Sequence, residues 1–328
     1  MPPGIGATGY LGIAPESTMG TYVAPTVFVP ILREGLKYTE SKYYSQQMRQ
    51  QVIDAEVKPG YYHTEGDIEL EVDTNNFLYF LYASRHTITK TGAGPYTYKF
   101  VPSTAGSTST AASGAVQRTL SITIVRNGIV FGYTGCTVGQ YAFTIDNAVL
   151  KCTLSILGLA EAVQSLPTPS WIAADILGAD THNVYNGASG VTPTFSAITS
   201  FNGFTFNVNH NPEAQNRIKS QRSANYVKFG KTEFEVRSEL DFVDRVDYDN
   251  MVASATQAIK LESTVGGVSF ASATDGVKLQ ANRMAFDTYE VNNESLDQIV
   301  MANFVGHGLA QVGGDGYQIE VKSAISIS

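Results

Sequence analysis

The sequence is short of charge. Asp, Glu, Lys and Arg make up only 16% of its 328 residues, against about a quarter in an ordinary soluble domain. A chain with so few charges hides more surface than one globule can, so association with its own copies is expected. Basic residues are the scarcer sign, 22 against 30 acidic, for a net charge of −8. Gripping nucleic-acid phosphates needs clustered Lys and Arg, so the balance argues against that task. A surface past which nucleic acid slides without sticking is not excluded.

Other absences narrow the class further. The two cysteines, Cys136 and Cys152, make no disulfide framework. They lie at unequal distances from a turn expected at Asp146-Asn147 and read as free, partly buried thiols. No run approaches the roughly 18–20 apolar residues of a membrane span. The opening "MPPGIGATGYLGIAPESTMGT" lacks a basic segment followed by an apolar run, so neither a signal peptide nor a membrane role is expected. The five histidines, His63, His86, His182, His210 and His307, are scattered, with no partner at a metal-ligand spacing. Neither a GxSxG elbow nor a G-x-x-x-x-G-K-[ST] phosphate loop occurs. No enzymatic activity, metal or cofactor is expected. Trp171, the only tryptophan, reads as a packing anchor.

What is present points to sheet. Eighteen Tyr and 16 Phe, with abundant Thr and Val, favour β structure. "GDIELEV" at 66–72 is answered by "GKTEFEV" at 230–236. Upstream, "GLKYT" (35–39) answers "GFTFN" (203–207), each followed by a long polar stretch, residues 40–64 and 208–229. Downstream, "TNNFLYFLYAS" (74–84) places Phe77, Leu78 and Leu81 at helical spacing after a Thr/Asn capping signal, and "DYDNMVASATQ" (247–257) does likewise with Tyr248, Met251, Val252 and Ala255, after a seven-residue excess. "VGQYAFTI" and "LQANRMAFDTY" read as strands, and "LGLAEAV" (157–163) echoes "HGLAQV" (307–312).

The expected organisation is therefore two copies of one unit. Residues 1–163 form the first, with an N-terminal arm over 1–30; residues 201–328 form the second. Strands with one helix between them predict antiparallel sheets. "PSTAGSTSTAASGA" (102–115) reads as an exposed mobile loop. Residues 164–200 read as a linker, with a short helix near 172–177.

On a strand, Glu69 and Glu71 share one face while Ile68, Leu70 and Val72 share the other. Their roughly 7 Å separation suits an inverting glycosidase, but such enzymes hold carboxyls on opposite sides of a sugar, one of them in a burying pocket. Side-by-side glutamates on a polar face read as the wet side of a sheet. Glu233 and Glu235 read the same way. In the two long stretches, Arg49 and the group Arg217, Lys219 and Arg222 lack the interleaved aromatic platform of a single-strand binder. They are expected to meet acidic groups on a neighbouring subunit.

The ordered set "GTYVAPTVFVPILREGLKYTE", "GDIELEVDTNNFLYFLYAS" and "YTGCTVGQYAFTIDNAVLKCTLSILG" resembles the major tail tube proteins of long-tailed bacteriophages. The likeness runs over residues 20–158 and 201–309. It implies a mainly β fold, two tandem β-sandwich or half-barrel units each flanked by one helix, whose sheets join neighbours into a ring-shaped barrel. It also implies stacked rings forming a conduit for viral DNA, with tape-measure, tail terminator and tail-tip proteins as partners, in a virion tail assembled in the host cytoplasm. Two units per chain imply a trimeric, pseudo-hexameric ring; a hexamer is the alternative. A lining that repels phosphate would employ Glu69, Glu71, Glu233 and Glu235, unless these face outside or a groove between subunits. The long stretches, with Tyr43, Tyr44, Tyr61, Tyr62, Tyr226 and Phe229, would make contacts between rings and subunits and order on assembly. A capsid-decoration protein and a carbohydrate-binding β-sandwich remain open.

Overall fold

The computed structural model describes residues 9–47, 53, 56–103, 117–172, 175–198, 201–218, 221–242, 245–292 and 300–327. The first half contributes β1 (Tyr10–Pro15), β2 (Val27–Val29), β3 (Arg33–Glu34), β4 (Lys37–Tyr44), β5 (Val57–Glu71), α1 (Leu78–Tyr82), β6 (His86–Thr91) and β7 (Tyr96–Pro102). It continues through β8 (Leu120–Arg126), β9 (Ile129–Asp146), β10 (Val149–Gly158) and β11 (Ala160–Val163). The second half contributes β12 (His182–Ala188), β13 (Phe195–Ile198), β14 (Phe201–Asn209), β15 (Pro212–Gln215), β16 (Tyr226–Phe229) and β17 (Glu233–Asp241). After α2 (Val246–Val252) come β18 (Thr256–Thr264), β19 (Gly276–Asn292), β20 (Met301–Gly308) and β21 (Tyr317–Ser323). The chain is mainly β, as its β-branched and aromatic content predicts. All the strand pairings described are antiparallel, and among the described residues they close no barrel within one chain.

In the first half one long strand serves two layers. The start of β9 lies between β8 and β11, and its end pairs with β10, which pairs with β5. Leu11, Ile13, Ile122 and Ile124 from one layer, and Ile68, Leu70, Phe143 and Leu154 from the other, are all buried in the shared core. The pairings of the second half follow the same order. The start of β19 lies between β18 and β21, and its end pairs with β20, which pairs with β17. Bulges fall at matching places. One interrupts β8–β9 between Leu120 and Ile122, and another β18–β19 between Gln257 and Ile259. A second pair interrupts β10–β9 between Ser155 and Ile156, and β19–β20 between Phe286 and Thr288. A bulge bends and twists a strand, which lets β9 and β19 pass from one layer to the other.

The halves are sewn together. β14 pairs with β9, setting Phe206 opposite Phe143 and Val208 opposite Tyr141. β21 pairs with β7, setting Ile319 opposite Phe100. One sheet therefore runs from β3 and β4 through β5, β10, β9, β14, β17 and β20 to β19. A single rung crosses most of it: Glu69, Thr153, Ala142, Asn207, Glu235, His307, Ala285.

Several local expectations change. Helix α1 buries Leu78, Phe80 and Leu81, but its cap is not Thr74 or an asparagine. The Asp73 carboxylate accepts from the backbone N–H of Asn75 (2.8 Å) and Asn76 (2.6 Å), forming an Asx turn ahead of the helix. Helix α2 has no fully buried residue, Val252 is exposed, and Ala255 lies beyond its end. Among the described residues of 164–200, the helical turn is 3-10 and comes later, at Ala179–Thr181. That stretch is also not simply a linker, because β12 pairs with both β13 and β18. The described residues of the polar stretch 40–64 are largely strand, a hairpin with Lys37 opposite Glu65 and Tyr44 opposite Val57. Within 208–229, β15 and β16 pair, and Ala224, Val227 and Phe229 pack on Leu157 and Leu159 of the first half. Cys136 and Cys152 are free and buried. The loop expected at 102–115 lies outside the described residues from position 104 onward.

Candidate functional site

The continuous sheet has one buried face and one open face. On β5, Ile68 and Leu70 are buried, as is Val72 just past its end, so Glu69 and Glu71 point outward; on β17, Phe234 and Val236 are buried, so Glu233 and Glu235 point outward. The period-two pattern thus reads correctly. The same open face carries Asp67 on β5 and Glu239 and Asp241 further along β17.

The acids are interleaved with fewer cations. Arg33 lies 3.3 Å from Glu69, Lys231 lies 3.7 Å from Glu233, and the Arg237 guanidinium donates to Glu235. Lys151 donates to Asp146 at 2.6 Å, which raises its pKa, and the charges of Glu69 and Glu71 act on it in the same direction. Ser155 donates to Asp67 at 2.6 Å. Exposed pairs of this kind add little stability; their effect is a polar face with an acidic surplus. The carboxylates are exposed or half-buried beside these cations on an open sheet face. Among the described residues, no group of three His, Cys, Asp or Glu side chains could hold a metal. No described helix is long and apolar enough to cross a membrane.

The register places the acidic positions differently from the sequence echo. Leu157 stands opposite Glu65, and His307 opposite Glu235. If the echo "LGLAEAV" and "HGLAQV" fixes the frame, then Glu69 and Glu71 correspond to Glu239 and Asp241 rather than to Glu233 and Glu235. In that frame "AS" at 83–84 also matches "AS" at 253–254, and the seven-residue excess before α2 disappears.

The two long stretches meet inside one chain. Arg222 donates to Glu40 at 2.8 Å, and its guanidinium lies 5.7 Å from the Tyr62 ring centre. The Tyr62 N–H donates to the Arg222 carbonyl (3.1 Å), and the Ala224 N–H donates to the Tyr62 carbonyl (3.0 Å). Arg222 therefore has an acidic partner within its own chain. Arg217 lies over the Tyr226 ring at 5.3 Å and donates to its hydroxyl at 3.3 Å. Tyr61 and Tyr62 are half-buried, whereas Tyr43 and Tyr44 stand 64% and 52% exposed near the far end of the β4–β5 hairpin. Arg49 and Lys219 lie outside the described residues.

Two features had no motif to announce them. A buried cluster joins the halves: His86 Nε2 contacts the hydroxyls of Tyr141 (2.9 Å) and Tyr317 (3.1 Å), and the His210 ring lies 5.4 Å from that of His86. Burial pushes the His86 pKa down to about 3, and holds that of His210 well below the usual imidazole value. At the sheet edge, Arg126 grips Glu34 through two bonds (2.8 and 2.6 Å) and also donates to the Leu36 carbonyl at 2.6 Å. The lone His and Arg gave no periodic signal, because their partners come from distant strands.

A search of curated proteins finds no match. A family model described as phage tail tube protein matches residues 6–325. With nearly its whole length matched, this chain belongs to the phage tail tube protein family and is a structural protein of the virion tail.

Proposed function

We propose that copies of this chain close into rings whose sheets join around a lumen, that the rings stack into the tail tube, and that viral DNA passes through without binding. The observation that carries this is the unbroken sheet from β3–β4 to β19, in which the halves already meet edge to edge at β9–β14. A head-to-tail contact of this kind generates a ring when its rotation closes, and closure leaves no strand edge exposed. The shared pairing order and matching bulges support reading the chain as an internal duplication, with the second unit starting at β12. Two units per chain favour a trimeric, pseudo-hexameric ring over a hexamer.

The open face of the sheet is assigned to the lumen. Glu69, Glu71, Glu239 and Asp241 would then set roughly a dozen carboxylates in each trimeric ring, repelling phosphate, with Glu233 and Glu235 adding to the same face. The exposed tyrosines of the β4–β5 hairpin, Tyr43 and Tyr44, reach toward a neighbouring subunit or ring. Tape-measure, terminator and tail-tip proteins complete the tail, which assembles in the host cytoplasm. Negative-stain microscopy of the purified, concentrated protein tests the proposal. Hollow tubes with a regular ring repeat support it. Uniform small particles under every condition would overturn the ring and tube reading.

A further inference from the structure

The seam inside the chain predicts the seam between chains. Along β9, the stretch Gln140–Thr144 is flanked by β10 on one side and β14 on the other. The bulge after Ser155 and the bulge at Phe286/Thr288 align Gln140–Thr144 with 288–292 of β19. That stretch of β19 pairs with β20 on one side; among the described residues, its other edge carries no strand. At the opposite end of the sheet, among the described residues, β3 and β4 pair with β5 alone. Thr205–Asn209, which fills the internal seam, corresponds to 35–39 in the frame set by Glu65 and Glu235.

We infer that residues 35–39 of one copy pair antiparallel with residues 288–292 of a second copy, with Lys37 opposite Glu290. This rests on the tube reading above and supplies its partner and register. Carrying the internal register across, Phe206–Phe143 becomes Leu36–Val291, Asn207–Ala142 becomes Lys37–Glu290, and Asn209–Gln140 becomes Thr39–Thr288. The resulting pairs are complementary. Lys37 and Glu290 are opposite in charge and both exposed, and Val291 is an apolar edge residue 39% exposed in the lone chain. Slipping the register by two residues keeps every side chain on its face but sets Glu290 opposite Gly35 or Thr39, losing the ion pair. The Leu36 carbonyl already accepts from Arg126 and Tyr133, so the Leu36–Val291 rung offers the incoming strand an acceptor already in use, and the Lys37–Glu290 charge pair is the contact that sets the register. There Lys37 also faces Glu65 of its own chain at 3.7 Å, which leaves the amine between two acids.

Cysteine pairing tests the register, because directly opposed residues bring their Cβ atoms within about 4.5–5.5 Å, close enough for a disulfide after small adjustment. The native thiols are buried. Full-length Lys37→Cys and Glu290→Cys chains, mixed at assembling concentration and oxidised, are expected to give a cross-linked dimer that neither gives alone. A Thr39→Cys with Glu290→Cys mixture is expected to give much less. Separately, Lys37→Glu should raise the concentration needed for assembly about tenfold, and adding Glu290→Lys should restore it; both sites are exposed, so the monomer keeps its fold. Preferential linking through position 39, or no rescue by the charge swap, overturns the register. Tubes that form but do not link through 37 and 290 overturn this inference alone, whereas linked chains that never form tubes overturn the tube reading and leave the seam.

Discussion

Acid should loosen this protein through the cluster that ties its halves. His86 is wholly buried with Tyr141 and Tyr317 on one ring nitrogen and Ser84 on the other, while Arg118 donates to its backbone carbonyl and His210 stacks edge-on. Its folded pKa falls from 6.5 to about 3, chiefly by burial. Between those values the unfolded chain binds a proton that the folded chain refuses, so stability rises with pH across the window. It is lost as pH falls from 6.5 toward 3. At about pH 4.5 the loss from His86 alone is about 2–3 kcal/mol relative to pH 7, and His210, shifted the same way, adds to it. Urea denaturation of the unassembled chain at the two pH values measures the loss. His86→Phe removes the titrating group while Tyr141 and Tyr317 keep their mutual contact at 3.3 Å and Ser84 keeps the Leu81 carbonyl at 3.0 Å. It should cost about 1–2 kcal/mol at pH 7 yet lose about 2–3 kcal/mol less than the wild type on acidification. Equal pH dependence in the two chains would refute this reasoning.

Other consequences can be checked in the same chain. Ala148 sits in the β9–β10 turn at φ 64°, a left-handed conformation costing a non-glycine residue about 1 kcal/mol, so Ala148→Gly should stabilise by about that amount in denaturant. Arg126→Leu leaves the partly buried Glu34 carboxylate without its cation and the Leu36 carbonyl with Tyr133 alone, and should destabilise by about 1–3 kcal/mol, with faster amide exchange in residues 34–38. If the open face lines the lumen, assembled wild-type tubes should retain no DNA after salt washing. Tubes carrying Lys at 69, 71, 239 and 241 should retain it in a salt-dependent way; equal retention by both would place those carboxylates elsewhere.

The class of fold was legible because its signals are local. Alternation along 66–72 put Ile68 and Leu70 inside and Glu69 outside, and the spacing of Leu78 and Leu81 marked α1. The correspondence of the glutamates was harder to place. "GDIELEV" and "GKTEFEV" match by letter, but a slip by an even number of residues along a strand preserves which face each side chain takes. Letter similarity could therefore find the right face and still choose the wrong rung; only pairing with β10 and β20 separates the two. Residues 40–44 and 57–64 carry no strand signal in sequence because their strand is exposed on most of its surface, which removes the apolar alternation that announces a strand. β12 was hidden among Gly, Thr and Asn for a similar reason: only its pairing with β18 makes it sheet. The His86 cluster and the Arg126 latch draw partners from strands far apart in sequence, a kind of information that no window along the chain contains.

The most direct test of the account is a cryo-electron microscopy reconstruction of the assembled protein at side-chain resolution. Expected is a hollow ring of three chains and six sheet units closed edge to edge, with the side chains of Glu69, Glu71, Glu239 and Asp241 directed into the lumen. A ring whose sheets remain open at β19, or whose lumen is lined by another face, would contradict it.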